Sequence, residues 1–228
     1  MVGFGAASSE GTGRTPMVKE LQQYIHDIWA DMITDPAFPC VGAAGAVRRG
    51  DYLHETYTSL TEVSAAKSCA RSLKSFNNSR SRLSHPVAVF AASFAFSYHQ
   101  NEEEFESELW AFLAALCEYD QDSPSNSSQT IDEPDDIGFI FDGRHFFVVG
   151  MHPLASRPAR QFAVPTLVFN ALSHVAPLVP NGRFERMKTQ IRKRDARLSG
   201  YENPSSELPR RAQFSGRQND PEWTPPHQ

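Results

Sequence analysis

The chain has 228 residues, of which 40% are hydrophobic, and is long enough to bury one substantial core. Its net charge of −5 argues against wholesale binding of nucleic acid. Its three cysteines lack CxxC spacing, which argues against a disulfide framework or a zinc ribbon and for a reducing compartment. The N-terminus has no apolar signal core, and the longest apolar run, residues 87–96, is too short to span a membrane. We therefore expect a cytoplasmic protein without membrane contact.

Charge is unevenly distributed along the chain. Residues 101–142 contain thirteen acidic residues and no Lys or Arg, whereas the chain from residue 181 onward contains ten basic and six acidic residues. Runs of one sign usually form solvated faces. The sequence therefore predicts two faces of opposite charge.

The first predicted element is a helix over residues 17–33, which follows a flexible tail over residues 1–16. Apolar residues recur in it at three- and four-residue steps and form one stripe: Val18, Leu21, Ile25, Ile28 and Met32. Pro36 and Pro39 prevent its continuation and predict an extended segment over residues 37–42.

Cys40 lies in this extended segment, where Gly42 and Gly45 allow a close backbone approach. Most free cysteines are small buried hydrophobic residues. The alternative is a thiolate ligand or the wall of a cofactor pocket. The next part, residues 52–82, has a weak pattern and is predicted to be irregular, with an exposed connector over residues 74–82.

The middle of the chain contains clearer signals. Residues 87–94 predict a buried strand, and Asn101 predicts the start of a helix whose three glutamates complement the helix dipole. Residues 119–136 carry almost no apolar side chains and predict a loop.

A β-hairpin is predicted over residues 138–149, because Asp142-Gly143 between apolar runs favours a type I′ turn. Residues 166–169 predict another strand. Residues 183–198 predict an amphipathic helix that ends at Gly200, with four apolar residues facing inward: Phe184, Met187, Ile191 and Leu198. Together the elements predict an α+β fold, a single domain with a small, mainly antiparallel sheet covered by helices.

The segment 152–160 places an imidazole, a hydroxyl and two guanidinium groups between apolar strands. In the structural interpretation, the His152 ring bonds a backbone carbonyl, and Arg157 and Arg160 pair with the acidic stretch. In the functional interpretation, His152 is a metal ligand, a haem ligand or a general base, and the arginines bind an anion. Composition and spacing leave both interpretations open.

The order of several motifs resembles the YqcI/YcgG family, and within it the branch of haem-dependent pre-guanitoxin N-hydroxylases. These motifs are spread over roughly residues 37–225: FPCVGA at 38–43, ELW at 108–110, FDGRHFFVVGMHPLASRPARQF at 141–162, PTLVFN at 165–170, IRKRD at 191–195, NP at 203–204, and FSGR at 214–217 with Trp223 after it.

The resemblance implies a haem-binding domain over residues 17–225 that N-hydroxylates a small guanidine or amine metabolite. The cofactor would be haem b, with O₂ as co-substrate and an external electron donor. The implied axial ligand is His152, with Cys40 as the alternative, and the implied haem or substrate contacts are Ser156, Arg157 and Arg160. Such an enzyme is compatible with a redox partner and a homo-oligomer.

Two departures from the family pattern affect the transfer of activity. The branch commonly has a histidine where this chain has Leu172. The C-terminal segment is shorter than usual between Asn203 and Phe214, and the Trp-x-Cys-Pro ending of the branch is Trp223-Thr224-Pro225-Pro226 here. Two alternative functions therefore remain open: a non-catalytic haem-binding or haem-sensing protein, and a cofactor-free interaction protein.

Overall fold

The computed structural model describes residues 14–79, 87–120, 138–174 and 178–226. The described chain contains helices α1 (Arg14–Thr34), α2 (Val41–Arg49), α3 (Val63–Ser79), α4 (Glu102–Cys117) and α5 (Arg183–Ser199). Its strands are β1 (Tyr52–Tyr57), β2 (Val89–Phe94), β3 (Phe139–Phe141), β4 (Arg144–Met151) and β5 (Thr166–Ala171).

The strands form one sheet in the order β1-β2-β5-β4-β3. β1 and β2 are parallel and are joined through α3, while the other neighbouring pairs are antiparallel. A parallel pair needs such a crossover, whereas antiparallel strands can follow a tight turn. The predicted α+β fold with a mainly antiparallel sheet is confirmed.

Helices cover both faces of the sheet. On β2, Phe90, Ala92 and Phe94 enter one hydrophobic cluster with residues of α3 and α4, whereas Val89 and Ala91 enter a second cluster with residues of α1 and α2. Successive side chains of a strand point to opposite faces, so a strand covered on both sides is apolar throughout. This explains the continuous apolar run that marks β2.

Three local predictions are confirmed in detail. Asp142 and Gly143 have φ values of 54° and 64°, as the type I′ hairpin turn requires. The Asn101 side chain caps α4 by accepting a hydrogen bond from the Glu104 amide. Gly200 ends α5 in the left-handed conformation.

The prediction of an irregular region over residues 52–82 is wrong, because this part contains β1 and α3. Every residue of β1 is only partly buried, so alternation is weak at this sheet edge. The buried stripe of α3 consists largely of small residues, including Ala65, Ala66, Cys69 and Ala70. These residues, followed by Leu73 and Phe76, recur at the three- and four-residue steps of a helix, so the periodic signal was present and the prediction missed it. Residues 80–82 of the predicted connector lie outside the described residues.

Two predicted boundaries and one predicted orientation also need correction. Cys40 is the N-cap of α2, so the extended segment predicted to reach residue 42 gives way to a helix at Val41. α1 begins at Arg14, inside the predicted tail, whose residues 1–13 lie outside the described part of the chain, as do residues 121–136 of the predicted loop. Leu198 is 37% exposed rather than inward.

The C-terminal segment, residues 201–226, packs back onto the sheet and α4. Two short 3-10 turns, Pro204–Glu207 and Arg210–Gln213, precede Phe214. The Gly150 amide donates a 2.7 Å hydrogen bond to the Phe214 carbonyl. The segment therefore lies beside β4 at the part of that strand that β3 does not cover. The segment is therefore part of the fold.

We expect Gly150→Ala to destabilise the protein by about 1–3 kcal/mol, the usual cost of overpacking. A Cβ at this position would lie 2.8 Å from Phe105 Cε1, 2.9 Å from Leu109 Cδ1 and 2.9 Å from the Phe214 carbonyl oxygen. Urea unfolding would measure the loss. Gly42→Ala is the control, because its nearest contact is Met187 Sδ at 3.6 Å. Equal unfolding midpoints for Gly150→Ala and the unmodified protein would contradict this packing.

Candidate functional site

The segment that carries the candidate residues, 152–162, closes on itself at the end of β4. The His152 amide donates to the Arg160 carbonyl at 2.9 Å, and the Phe162 amide donates to the His152 carbonyl at 3.3 Å. Pro158–Arg160 forms a single 3-10 turn. The candidate residues therefore lie on a compact loop with fixed ends, which we call the His152 loop.

His152 is 1% exposed and packs against α4. Its ring stacks on Phe105 with centroids 4.2 Å apart, and its Nδ1 lies 3.0 Å from Nε2 of His99. Burial lowers the pKa of His152 to about 4, and the charges of His99 and Arg160 act in the same direction. His152 is therefore neutral near pH 7, the state in which an imidazole binds metal.

Ser156 joins the loop to the start of α4. Its amide and its hydroxyl both donate to Glu102 Oε1, at 2.9 Å and 3.1 Å. The structural interpretation of the sequence placed the arginines against the acidic stretch, but here Ser156 makes that contact. A carboxylate thus lies directly beside the His152 loop.

Arg157 joins the loop to α5 through a buried ion pair. Its Nη2 lies 2.7 Å from Oδ2 of Asp195, and each side chain is 9% exposed. Asp195 belongs to the IRKRD motif, so the pair gives that motif a structural role. Arg157 Nε is buried without a partner among the described residues.

Arg160 holds the C-terminal segment against β4. Its guanidinium donates to the carbonyls of Gly150 at 2.9 Å, Phe214 at 3.4 Å and Gln213 at 3.2 Å. A Cβ on Gly216 would lie 2.9 Å from Arg160 Cγ, so the FSGR motif needs glycine at this point. The binding of an anion by Arg157 or Arg160 stays a prediction.

Cys40 lies at the start of α2 and packs against the hydrophobic cluster on the face of the sheet away from α4. Its sulfur accepts a 3.5 Å hydrogen bond from the Ala43 amide. Burial raises the pKa of the Cys40 thiol, although nearby amides and the charges of Arg160 and Arg194 oppose that shift. Cys40 is therefore a neutral thiol near the loop.

Two residues that the sequence interpretation passed over are central here. His99 contacts His152. Glu106 is buried and receives hydrogen bonds from four side chains of the C-terminal segment: Ser215, Arg217, Asn219 and Trp223. Glu106 follows three glutamates whose evident role is to complement the helix dipole, so the sequence does not single it out. His99 lies outside the family motifs. Only their spatial contacts identify these two residues.

The ELW motif also meets the C-terminal segment. Trp110 stacks on Phe214 with centroids 5.5 Å apart and lies 5.8 Å from the Trp223 ring. Trp110 is thus part of the packing between α4 and the C-terminal segment. The motif fixes where the segment crosses α4.

Leu172, where the branch commonly has histidine, lies far from the His152 loop. It follows β5 at the end where Ala171 pairs with Phe146, whereas Met151, just before His152, pairs with Thr166 at the other end. Five residues of strand separate these ends, or about 17 Å. This departure therefore leaves the surroundings of His152 unchanged.

A separate cavity of about 250 Å³ opens at the carboxyl end of the parallel strands. Its lining includes Leu21, Thr56, Ala65 and Phe96, and contains neither histidine nor cysteine. The lining offers hydroxyl groups but no imidazole or guanidinium group such as those of the His152 loop.

Comparisons with known proteins identify the family. In the described part of the chain, no helix has the length and apolar character needed to cross a membrane. No match was found among curated proteins or among solved structures. The family model described as YqcI/YcgG matches residues 29–227, which include the His152 loop, Cys40 and the C-terminal segment. The chain therefore belongs to the YqcI/YcgG family.

Proposed function

We propose that this protein is a haem-dependent oxygenase that N-hydroxylates a small guanidine or amine metabolite, with His152 as the axial ligand of the iron. The motif resemblance supplies the reaction class. The observation that carries the ligand assignment is the neutral, buried His152 in contact with His99. O₂ is the co-substrate, and electrons come from an external donor.

The residues around the His152 loop are compatible with haem. Nδ1 of His152 already has a hydrogen-bond partner, so Nε2 is the nitrogen that would bind iron, in keeping with the usual arrangement of metal-bound histidine. His99 Nδ1 and Arg157 Nε are buried and lack partners among the described residues. Unpaired polar groups of this kind suit the carboxylates of a bound cofactor or substrate. Because His152 is 1% exposed, haem binding requires neighbouring side chains to move.

Cys40 is less suited to the iron. A thiolate is the ligating form of cysteine, and burial of Cys40 favours the thiol. Its sulfur is also the cap of α2. These two features support His152 over Cys40.

When bound, the haem would supply activation of O₂. His152 would hold the iron, and Phe105 fixes the plane of the imidazole by stacking against it. A guanidinium substrate needs a carboxylate partner, and Glu102 lies beside the loop in contact with Ser156. We assign substrate binding to this carboxylate and haem contact to Arg157 and Arg160.

Haem titration of the purified protein tests the proposal. We expect a Soret band in the unmodified protein, loss of most of it in His152→Ala, and its retention in Cys40→Ala. The reduced CO complex should show the spectrum of imidazole-ligated haem. Cys117→Ala, another partly buried cysteine, is the matched control for cysteine removal. Oxygen-dependent consumption of guanidine and amine compounds would then identify the substrate.

The outcomes separate the competing functions. A thiolate-type CO spectrum that disappears in Cys40→Ala would overturn the choice of His152. A Soret band without consumption of any substrate would indicate a haem-binding or haem-sensing protein. Absence of haem binding under all loading conditions would leave the cofactor-free interaction protein.

A further inference from the structure

His99 and His152 form a hydrogen-bonded imidazole pair between the start of α4 and the end of β4. The His99 Nε2 to His152 Nδ1 distance is 3.0 Å, and the ring centroids are 4.8 Å apart in an edge arrangement. Phe105 packs against both rings, with centroid distances of 5.1 Å to His99 and 4.2 Å to His152. The pair is therefore held by packing as well as by its hydrogen bond.

Two neutral imidazoles at this distance share a single proton between the facing nitrogens. If His99 carries that proton, His152 has its own on Nε2 and lacks a lone pair there. If His152 carries it on Nδ1, the Nε2 lone pair of His152 is available to a metal. His99 then accepts at Nε2 and bears its proton on Nδ1. The role of His99 as acceptor or donor thus decides whether His152 can bind iron.

The acceptor role places the His99 proton on Nδ1, where it needs electrostatic compensation. His99 Nδ1 is buried and lacks a partner among the described residues. Glu104, in the first turn of α4, exerts a negative charge on the His99 ring. Glu104 is itself fixed, because its Oε2 accepts a hydrogen bond from the Gln100 amide. A negative charge near the ring helps to compensate an Nδ1–H group that has no other acceptor.

We propose that His99 is a positioning residue: it accepts the Nδ1 proton of His152 and thereby keeps the Nε2 lone pair of His152 available for a metal. Metal-bound histidines usually donate their other ring N–H to an acceptor, which fixes both the tautomer and the orientation of the ring. The identity of the metal as haem iron rests on the proposed function. The tautomer of His152 is a property of the chain alone.

The first test needs no cofactor. Long-range ¹H–¹⁵N correlation spectra of the ¹⁵N-histidine-labelled protein distinguish Nδ1–H from Nε2–H imidazoles. We expect the Nδ1–H form for His152 in the unmodified protein and a shift towards the Nε2–H form in His99→Phe. His99→Gln restores an acceptor oxygen and should restore the Nδ1–H form. An Nε2–H form of His152 in the unmodified protein would overturn the proposal.

The second test uses the haem-loaded protein. Loss of a hydrogen-bond partner of a metal ligand typically lowers metal affinity about 10–100-fold, and we expect this for His99→Phe. The iron–histidine stretching frequency of the ferrous protein should also fall, and His99→Gln should recover part of both losses. His145→Phe, an exposed histidine near the hairpin turn, is the control.

The two proposals can fail separately. If the unmodified protein binds no haem, the proposed function fails, and the tautomer measurement still decides the role of His99. If haem binds through His152 but His99→Phe changes neither the affinity nor the stretching frequency, His99 is not a positioning residue.

Discussion

Glu106→Ala is expected to release the C-terminal segment from α4 and to lower the free energy of unfolding by about 3–5 kcal/mol, because four donors lose one buried carboxylate and a hydrogen bond to a charged group contributes about 1.5–3 kcal/mol. The Glu106 side chain is 5% exposed. Oε1 accepts from Ser215 at 2.7 Å and Asn219 at 2.9 Å, and Oε2 accepts from Arg217 at 3.1 Å and Trp223 at 3.3 Å. Four donors thus match the four lone-pair positions of one carboxylate.

Urea unfolding and hydrogen exchange would measure this effect, with faster exchange expected over residues 212–223. Glu106→Gln keeps the volume and one acceptor oxygen, so we expect a smaller loss. Glu103→Ala removes an exposed carboxylate that also pairs with Arg217 and serves as the control. Unchanged exchange in the C-terminal segment of Glu106→Ala would contradict the anchoring role.

Asp195→Ala is expected to cost a similar amount, about 3–5 kcal/mol, because it leaves the Arg157 charge buried without its partner. Both side chains are 9% exposed, and the pair is the ionic connection between α5 and the His152 loop. Chemical denaturation would measure the loss. The double variant Arg157→Met, Asp195→Leu removes both charges and should recover most of the stability, since an apolar pair avoids the desolvation penalty.

The exposed pair between Arg192 and Glu207 is the comparison for this prediction. Its side chains are 50% and 77% exposed. Exposed pairs contribute about 0–1 kcal/mol, so Glu207→Ala should change little. Equal losses of unfolding free energy for Asp195→Ala and Glu207→Ala would contradict a larger contribution from the buried Arg157 pair.

The elements that the sequence predicted correctly have strong local signals. Asp142-Gly143 requires a particular turn, Asn101 caps its helix, and β2 is apolar because both of its faces are covered. Of the two missed elements, β1 has a weak local signal, because it is half-buried at the sheet edge and depends on tertiary contacts. α3 has the spacing of an amphipathic helix, but its buried stripe begins with small residues that the prediction did not count as core.

The candidate site was predictable only in part. The His152 loop stands out locally, since polar side chains interrupt two apolar strands. Its partners do not, because His99 and Asp195 lie 53 and 38 residues away from the side chains that they contact. A single sequence without spatial information does not indicate such pairings. The same holds for Glu106, whose partners are more than 100 residues further along the chain.

The C-terminal segment is attached to the helices at both of its ends, and this has a consequence for variation in its length. Ser206 and Glu207 hold its first part to Arg192 of α5, and Glu106 of α4 holds its last part. Residues inserted between two such fixed points add mainly loop entropy, about 0.6 kcal/mol for each doubling of the loop length. Relatives can therefore be longer here and keep the same attachments. A change of Gly216 or Glu106 would remove an attachment at any length.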